Sequence, residues 1–240
     1  MDIFDCHSNA MTNTELEKQN AAKAALEYVK NGMVIGLGSG STSEYMVRLL
    51  GKRVSHGLQV SGVASSNRTA SLAKSLGIPL INLGEVAALD LYIDGADEVD
   101  SDFNMIKGGG GALLREKILA HNSKRNIIII DSSKKVQKLG VFKLPVEIIP
   151  FSHKSISEQF RKMGLNPVLR ENGNQIYSTD ENNFILDTDI RKYPEHDLLN
   201  KTLLAIPGVV ETGLFINYVD VLIMGNQALE KTEIFHHQRS

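Results

Sequence analysis

The chain has 240 residues, of which 42% are hydrophobic and 22% charged, with a formal net charge of −2. That length can bury one large core or two small ones, and the near-neutral charge gives no sign of a general nucleic-acid or membrane-binding surface. The single Cys6 excludes an internal disulfide framework. With no signal-type pattern and no long apolar run, the chain reads as cytoplasmic, without a membrane span.

Residues 1–12 read as a loosely held terminus. Residues 14–29 have helix chemistry, with Thr14 as N-cap, Glu17 three residues on, and Leu16 and Leu26 among alanines. Residues 33–36 form a short apolar strand, and a loop leads from it into a helix starting near Ser43. A strand follows over 58–63, a helix over 69–76, the opening of another strand at Ile78-Pro79-Leu80, and a strand over 90–93 that ends at Asp94. A helix over 112–121 leads to Ile127-Ile128-Ile129-Ile130, an apolar run of buried-strand length. Short apolar strands alternating with helices predict a doubly wound, mostly parallel α/β sheet, Rossmann-like in class.

The rhythm changes after Val136. Residues 144–150 carry Pro145 and Pro150, which reads as an edge-type or inter-domain segment. A helix over 155–163, strands over 168–170 and 184–187, a helix over 198–204 and a strand reached through Ile206-Pro207-Gly208 suggest a smaller α+β, ferredoxin-like subdomain. Residues 220–225 form a last buried strand that is expected to rejoin the large sheet. The division is therefore 1–142 plus 217–240 for the larger, Rossmann-like domain and 143–216 for the smaller one. Residues 234–240 read as a loose tail, and His236-His237, without spaced partners, as solvated rather than metal-binding.

Three segments carry chemistry. The loop Gly36-Leu37-Gly38-Ser39-Gly40-Ser41-Thr42 joins a strand to a helix, where converging N–H groups and a helix N-terminus favour a phosphate. A dinucleotide fits poorly: Ser41 stands where the fingerprint needs its last glycine, and no carboxylate follows the second strand in 63–68. A Walker loop is excluded because no Lys-Ser/Thr pair follows the glycines. The second segment is the acidic loop Asp94-Gly95-Ala96-Asp97-Glu98-Val99-Asp100, and the third is Lys107 followed by Gly108, Gly109, Gly110 and Gly111, then Arg115-Glu116-Lys117. Glu98 and Asp100 read as solvated or capping charges. Four glycines are entropically costly unless backbone must approach a ligand. The carboxylates could bind a divalent cation. They also suit proton abstraction beside a carbonyl, with Glu116 as base, an aspartic acid handling the hydroxyl proton and Lys107 offsetting enediolate charge. The histidines show no ligand spacing, so a metal-independent route is the simpler one.

These segments, together with Ser65-Ser66-Asn67-Arg68-Thr69, Asp131-Ser132-Ser133-Lys134, residues 145–150 and Ile206-Pro207-Gly208-Val209-Val210, resemble ribose-5-phosphate isomerases of the A type from about residue 14 to 232. The resemblance implies interconversion of ribose 5-phosphate and ribulose 5-phosphate in the non-oxidative pentose phosphate pathway. It implies Glu116 as the proton acceptor, and Asp94, Asp97, Lys107, Gly108, Gly109 and Gly110 around the substrate, with Asp94 expected to manage the hydroxyl proton. The Ser39, Gly40, Ser41 and Thr42 loop, Gly95, Ala96, Lys134 and the phosphate-side Lys18 complete the set. It further implies no organic cofactor and a homodimer or homotetramer. Two positions depart from the family pattern: Thr179-Asp180-Glu181-Asn182-Asn183 stands for a Thr-Asp-Asn-Gly-Asn turn, which Asn182 can still make, and Tyr218-Val219-Asp220 replaces a small residue before the aspartate. Two rival readings are a sugar-phosphate sensor and an acyl-CoA transferase. The sensor would need a DNA-binding module, and the dozen residues before the first helix are too few for one. Lys107 and the paired aspartates argue against the transferase.

Overall fold

The computed structural model describes residues 12–226 and 232–237. Cys6 and the rest of the expected loose termini, apart from residues 12 and 234–237, lie outside the described residues. In chain order the elements are α1 (Asn13–Ala25), β1 (Val34–Leu37), α2 (Ser41–Ser55), β2 (Ser61–Ala64), α3 (Asn67–Ser75), β3 (Leu91–Asp94), β4 (Glu98–Val99), β5 (Met105–Ile106), α4 (Leu113–His121) and β6 (Asn126–Ile130). Then come β7 (Leu144–Ile148), α5 (His153–Lys162), β8 (Val168–Leu169), β9 (Glu171–Asn172), β10 (Gln175–Ile176), β11 (Phe184–Thr188), α6 (His196–Leu204) and β12 (Val209–Thr212). The chain closes with β13 (Leu214–Phe215), β14 (Val221–Gly225) and β15 (Thr232–His236).

The large sheet has the order β15-β14-β6-β3-β1-β2. Its inner pairs are parallel and only β15 runs antiparallel, on β14. The return of 220–225 to this sheet is thus observed. Strand alternation explains the isoleucine run: Ile127 and Ile129 pack with Leu26, Met46 and Leu50 on one face, while Ile128 and Ile130 pack with Tyr92, Leu119 and Phe215 on the other. Full burial of side chains this size contributes about 1.5–3 kcal/mol each. From β1 the chain crosses to β2 on one side and then to β3 on the other, so β1 and β3 flank the switch point at which α/β sheets place ligands.

The smaller sheet, β12-β7-β11-β8, is antiparallel, and α5 and α6 close its core with Ile156, Phe160, Leu199 and Leu203. A third, short sheet, β13-β5-β4, carries the approach to Lys107.

Several expectations need correction. The first helix starts two residues earlier: Thr12 caps it and Glu15 returns a carboxylate to the Thr12 N–H at 2.9 Å, whereas Glu17 is buried and makes no cap. Ile78-Pro79-Leu80 contributes only a single bridge between Leu80 and Gly62. Residues 144–150 are no edge: β7 is paired on both sides. Its proline is tolerated because the β12 ladder begins at Val146, and at Pro145 the only demand from that side is on its carbonyl, which accepts the Gly213 N–H at 2.7 Å. The expected strand over 206–215 is two strands in two sheets, divided at Gly213. A Cβ there would stand 2.3 Å from the Lys107 carbonyl oxygen. Within the expected loose tail, residues 234–236 belong to β15 and pair along β14, and the His237 ring stacks on Phe103 with centroids 4.8 Å apart. Asn182 does take the left-handed conformation, at φ +61°.

Candidate active site

Three loops leave the carboxyl edges of β1, β3 and β5 and converge. The Gly38 N–H donates to the Ile93 carbonyl at 3.0 Å, bringing the first loop against the second. Only glycine fits at 38, because an added Cβ would lie 2.1 Å from Asp94 Oδ1. Gly40, at φ +96°, turns the chain into α2, and the α2 N-terminus follows at once. The glycine run forms a tight turn in which the Gly111 N–H donates to the Gly108 carbonyl at 2.9 Å, and α4 starts two residues later.

A cavity of about 120 Å³ lies between these loops. Its walls are Lys18, Ser39, Gly40, Ser41, Thr42, Gly95, Ala96, Asp97, Lys107, Gly108, Gly109, Gly110, Glu116 and Lys134. Every site residue that the family resemblance implied is here except Asp94. An adjoining hollow of about 430 Å³ shares Ser39, Gly40 and Gly110 and is lined also by Arg68, Tyr177 and Asp180.

Asp94 stands behind the cavity, fully buried. Its Oδ1 accepts from the Ser39 N–H (3.0 Å), the Ser43 hydroxyl (2.7 Å) and the Gly95 N–H (2.7 Å). Its Oδ2 accepts from the Tyr92 hydroxyl and from Lys107 Nζ at 2.8 Å. Five donors leave this carboxylate no free lone pair for a substrate proton. Lys107 Nζ also donates to the Gly95 carbonyl (2.5 Å) and lies 3.3 Å from Glu116 Oε2, at ion-pair distance but out of hydrogen-bond alignment. Burial alone would lower the lysine pKa. The carboxylates of Asp94, Glu116 and Asp97 outweigh it and hold Lys107 firmly protonated.

Glu116 sits in the first turn of α4, 4% exposed. Burial pushes its pKa up to about 8; Lys107 pulls it down, while Asp94 and Asp97 push it further up. A carboxyl group poised near neutrality is what a general base requires. Asp97 faces the cavity and accepts the Gly109 N–H at 2.7 Å. Glu98, expected to be solvated, is buried and accepts the Gly140 and Phe142 N–H groups instead. Among the described residues, no group of three or more His, Cys, Asp or Glu side chains could hold a metal ion.

The cationic wall is assembled by a residue misread from the sequence. Buried Glu17 accepts both the N–H and the hydroxyl of Ser132 at 2.8 Å, docking α1 onto the 3-10 turn Ser132–Lys134. Lys18 and Lys134 thereby reach one cavity. Tyr92 and Ser43 were also missed. Tyr92 carried a signal, since it lies two residues before Asp94 on one strand and so shares its face.

The family model of ribose 5-phosphate isomerase A (phosphoriboisomerase A) matches residues 61–228. The chain is 50% identical over 213 residues to ribose-5-phosphate isomerase A of Rhizobium meliloti, covering 86% of this chain and 92% of that protein. The counterpart from Listeria monocytogenes serotype 4b is 46% identical over 208 residues, covering 86% and 93%. Among solved structures, a D-ribose-5-phosphate isomerase in complex with phospho-erythronic acid superposes with a TM-score of 0.89 at 35% identity, covering 94% of this chain and all of that one. Ribose 5-phosphate isomerase A of Methanocaldococcus jannaschii gives 0.86 at 36% identity, covering 92% and 98%. Likeness of this extent, over a fold whose three loops build one acidic and cationic cavity, means that the chain belongs to the ribose 5-phosphate isomerase A family.

Proposed function

We propose that the chain interconverts D-ribose 5-phosphate and D-ribulose 5-phosphate through an enediolate, with Glu116 as the base. The phosphate is anchored by the N-terminus of α2 at Gly40, Ser41 and Thr42 and by Lys18 and Lys134, where N–H groups, hydroxyls and ammonium groups suit a dianion. Glu116 removes the proton from one of the two carbons and returns it to the other. Asp97, which has access to the cavity, handles the hydroxyl proton, the task that the sequence alone suggested for Asp94. Lys107 and the backbone N–H of the glycine run at Gly110, free among the described residues, balance the charge on the enediolate oxygen. Substrate and product are isomers, so protons move but no net oxidation occurs.

The observation that carries this reading is the Glu116 carboxyl group, buried in the cavity beside Lys107 and raised to about 8. The test is to mix the purified chain with ribose 5-phosphate and follow ketose absorbance, beside the Glu116→Gln variant. A positioned base is worth roughly 10²–10⁴ in rate, so the variant should lose at least that factor in kcat while KM stays near the parent value. Near-normal turnover in Glu116→Gln would remove Glu116 from the mechanism. In line with the family resemblance, the chain acts in the cytoplasm as a homodimer or homotetramer, which light scattering on the purified protein would test.

A further inference from the structure

The four glycines have a holder that lies outside the cavity. Arg170 follows β8 in the smaller domain, and its side chain is largely buried against Asp187 of β11, which takes both Nε (2.9 Å) and Nη2 (2.5 Å). The remaining nitrogen, Nη1, reaches across to the glycine run and donates to the carbonyls of Gly108 (2.8 Å) and Gly109 (3.2 Å). The β9–β10 hairpin then brings Tyr177 back beside Arg170, with its N–H on the Arg170 carbonyl at 2.9 Å and its ring 5.9 Å from the guanidinium. The Tyr177 hydroxyl donates to the Gly110 carbonyl at 3.3 Å. Three successive glycine carbonyls are thus held by two side chains of the other domain.

A planar trans peptide points its carbonyl and the next N–H in opposite directions. Fixing the Gly108 and Gly109 carbonyls toward Arg170 therefore turns the N–H groups of Gly109 and Gly110 away from it. The Gly109 N–H meets Asp97, a wall of the catalytic cavity, which identifies that side as the reaction side. The Gly110 N–H has no hydrogen-bond partner among the described residues. Glycines have no side chains to restrict their backbone, so these contacts join the Gly111–Gly108 and Gly109–Asp97 hydrogen bonds in selecting one conformation. We propose that Arg170, braced by Asp187 and assisted by Tyr177, is a positioning residue that presets the Gly110 N–H for the enediolate oxygen while the Gly109 N–H holds Asp97. This rests on the isomerase reading above and deepens it: the smaller domain contributes to the barrier of the reaction rather than to phosphate binding.

Arg170→Ala, Arg170→Lys and Tyr177→Phe should be compared with the parent chain in kcat, KM and melting temperature. A displacement on the order of 1 Å at a reacting centre can cost 10²-fold, so Arg170→Ala should lose roughly 10- to 100-fold in kcat with KM within about twofold. Millimolar guanidinium should restore part of the Arg170→Ala rate and none of the Glu116→Gln rate. Arg170→Lys should recover little, because a point-charge ammonium cannot span Asp187 and the glycine carbonyls together. Tyr177→Phe, which removes one oxygen atom and leaves the packing intact, should show a smaller loss with the same kcat bias. An active parent whose Arg170→Ala and Tyr177→Phe variants keep parental kcat, or lose activity only through KM, overturns the assignment. A parent chain inactive on ribose 5-phosphate overturns the isomerase reading instead.

Discussion

Lys107 Nζ lies 3.3 Å from Oε2 of Glu116, with both side chains almost wholly buried. The ammonium lowers the cost of ionising the glutamate, while burial keeps its pKa at about 8. As the proposed base, Glu116 acts only when ionised. The value of kcat/KM should therefore rise with pH through an acid limb centred near 8, distinct from a phosphate ester's own second ionisation near about 6. Lys107→Met should move that limb to higher pH, because the charge that lowers the glutamate pKa is gone. Rate profiles of the two proteins on ribose 5-phosphate decide it, and a limb that stays in place would separate Lys107 from Glu116 energetically.

Asp94→Asn should fail chiefly as a structural change. The carboxylate is fully buried and collects five donors, Lys107 among them. Removing one partner of a buried ion pair leaves the other charge uncompensated, at roughly 3–5 kcal/mol. A chain of this size shifts by about 2–4 °C per kcal/mol, so thermal melts should show a fall of about 6–20 °C. Asp97→Asn, at a half-exposed position, should leave the melting temperature within a few degrees and lower kcat. The reverse pattern would return the hydroxyl proton to Asp94.

Glu17→Ala separates anchoring from chemistry. The Ser132 N–H and hydroxyl lose their buried acceptor, the turn carrying Lys134 loosens from α1, and Lys18 and Lys134 no longer share one wall. Orphaning such a group costs about 1–3 kcal/mol. We expect KM to rise at least fivefold, with kcat near the parent value. Steady-state kinetics in a constant ionic medium would show this, and a pure kcat effect would place the phosphate elsewhere.

Legibility of the site in the sequence followed the range of each interaction. The glycine loop at 36–42, the acidic loop and the run at 107–117 are local patterns, and their order along the chain was enough to bring their residues into one list. Strand character in 127–130 and 220–225 survived because alternate residues face two cores. Pro145 misled because a proline's tolerance depends on what its neighbour strand demands at that one position, which lies 68 residues away at Gly213. Glu17 was read as a local cap while its partner, Ser132, is 115 residues distant. Arg170 and Tyr177 had no local signal at all, since their role exists only once the segment around β8 to β10 lies against the glycine run.

Glu116→Gln should also be more stable than the parent at alkaline pH. The folded-state pKa is about 8 against an ordinary value of 4.5, so between these two the folded chain keeps a proton that the unfolded chain has released. Stability from this group is fully present below the unfolded value and is lost as pH rises through the folded one. Glutamine carries no such ionisation cost. Melting temperatures of parent and variant should therefore lie close together near about pH 5, and the variant should pull ahead by several degrees near about pH 9. A difference that does not change with pH would mean that Glu116 ionises without cost in the folded protein. An inactive variant that is the more stable protein in alkali would show what the site sacrifices: a buried carboxylate is tolerated against the fold's own preference because the chemistry needs a base there.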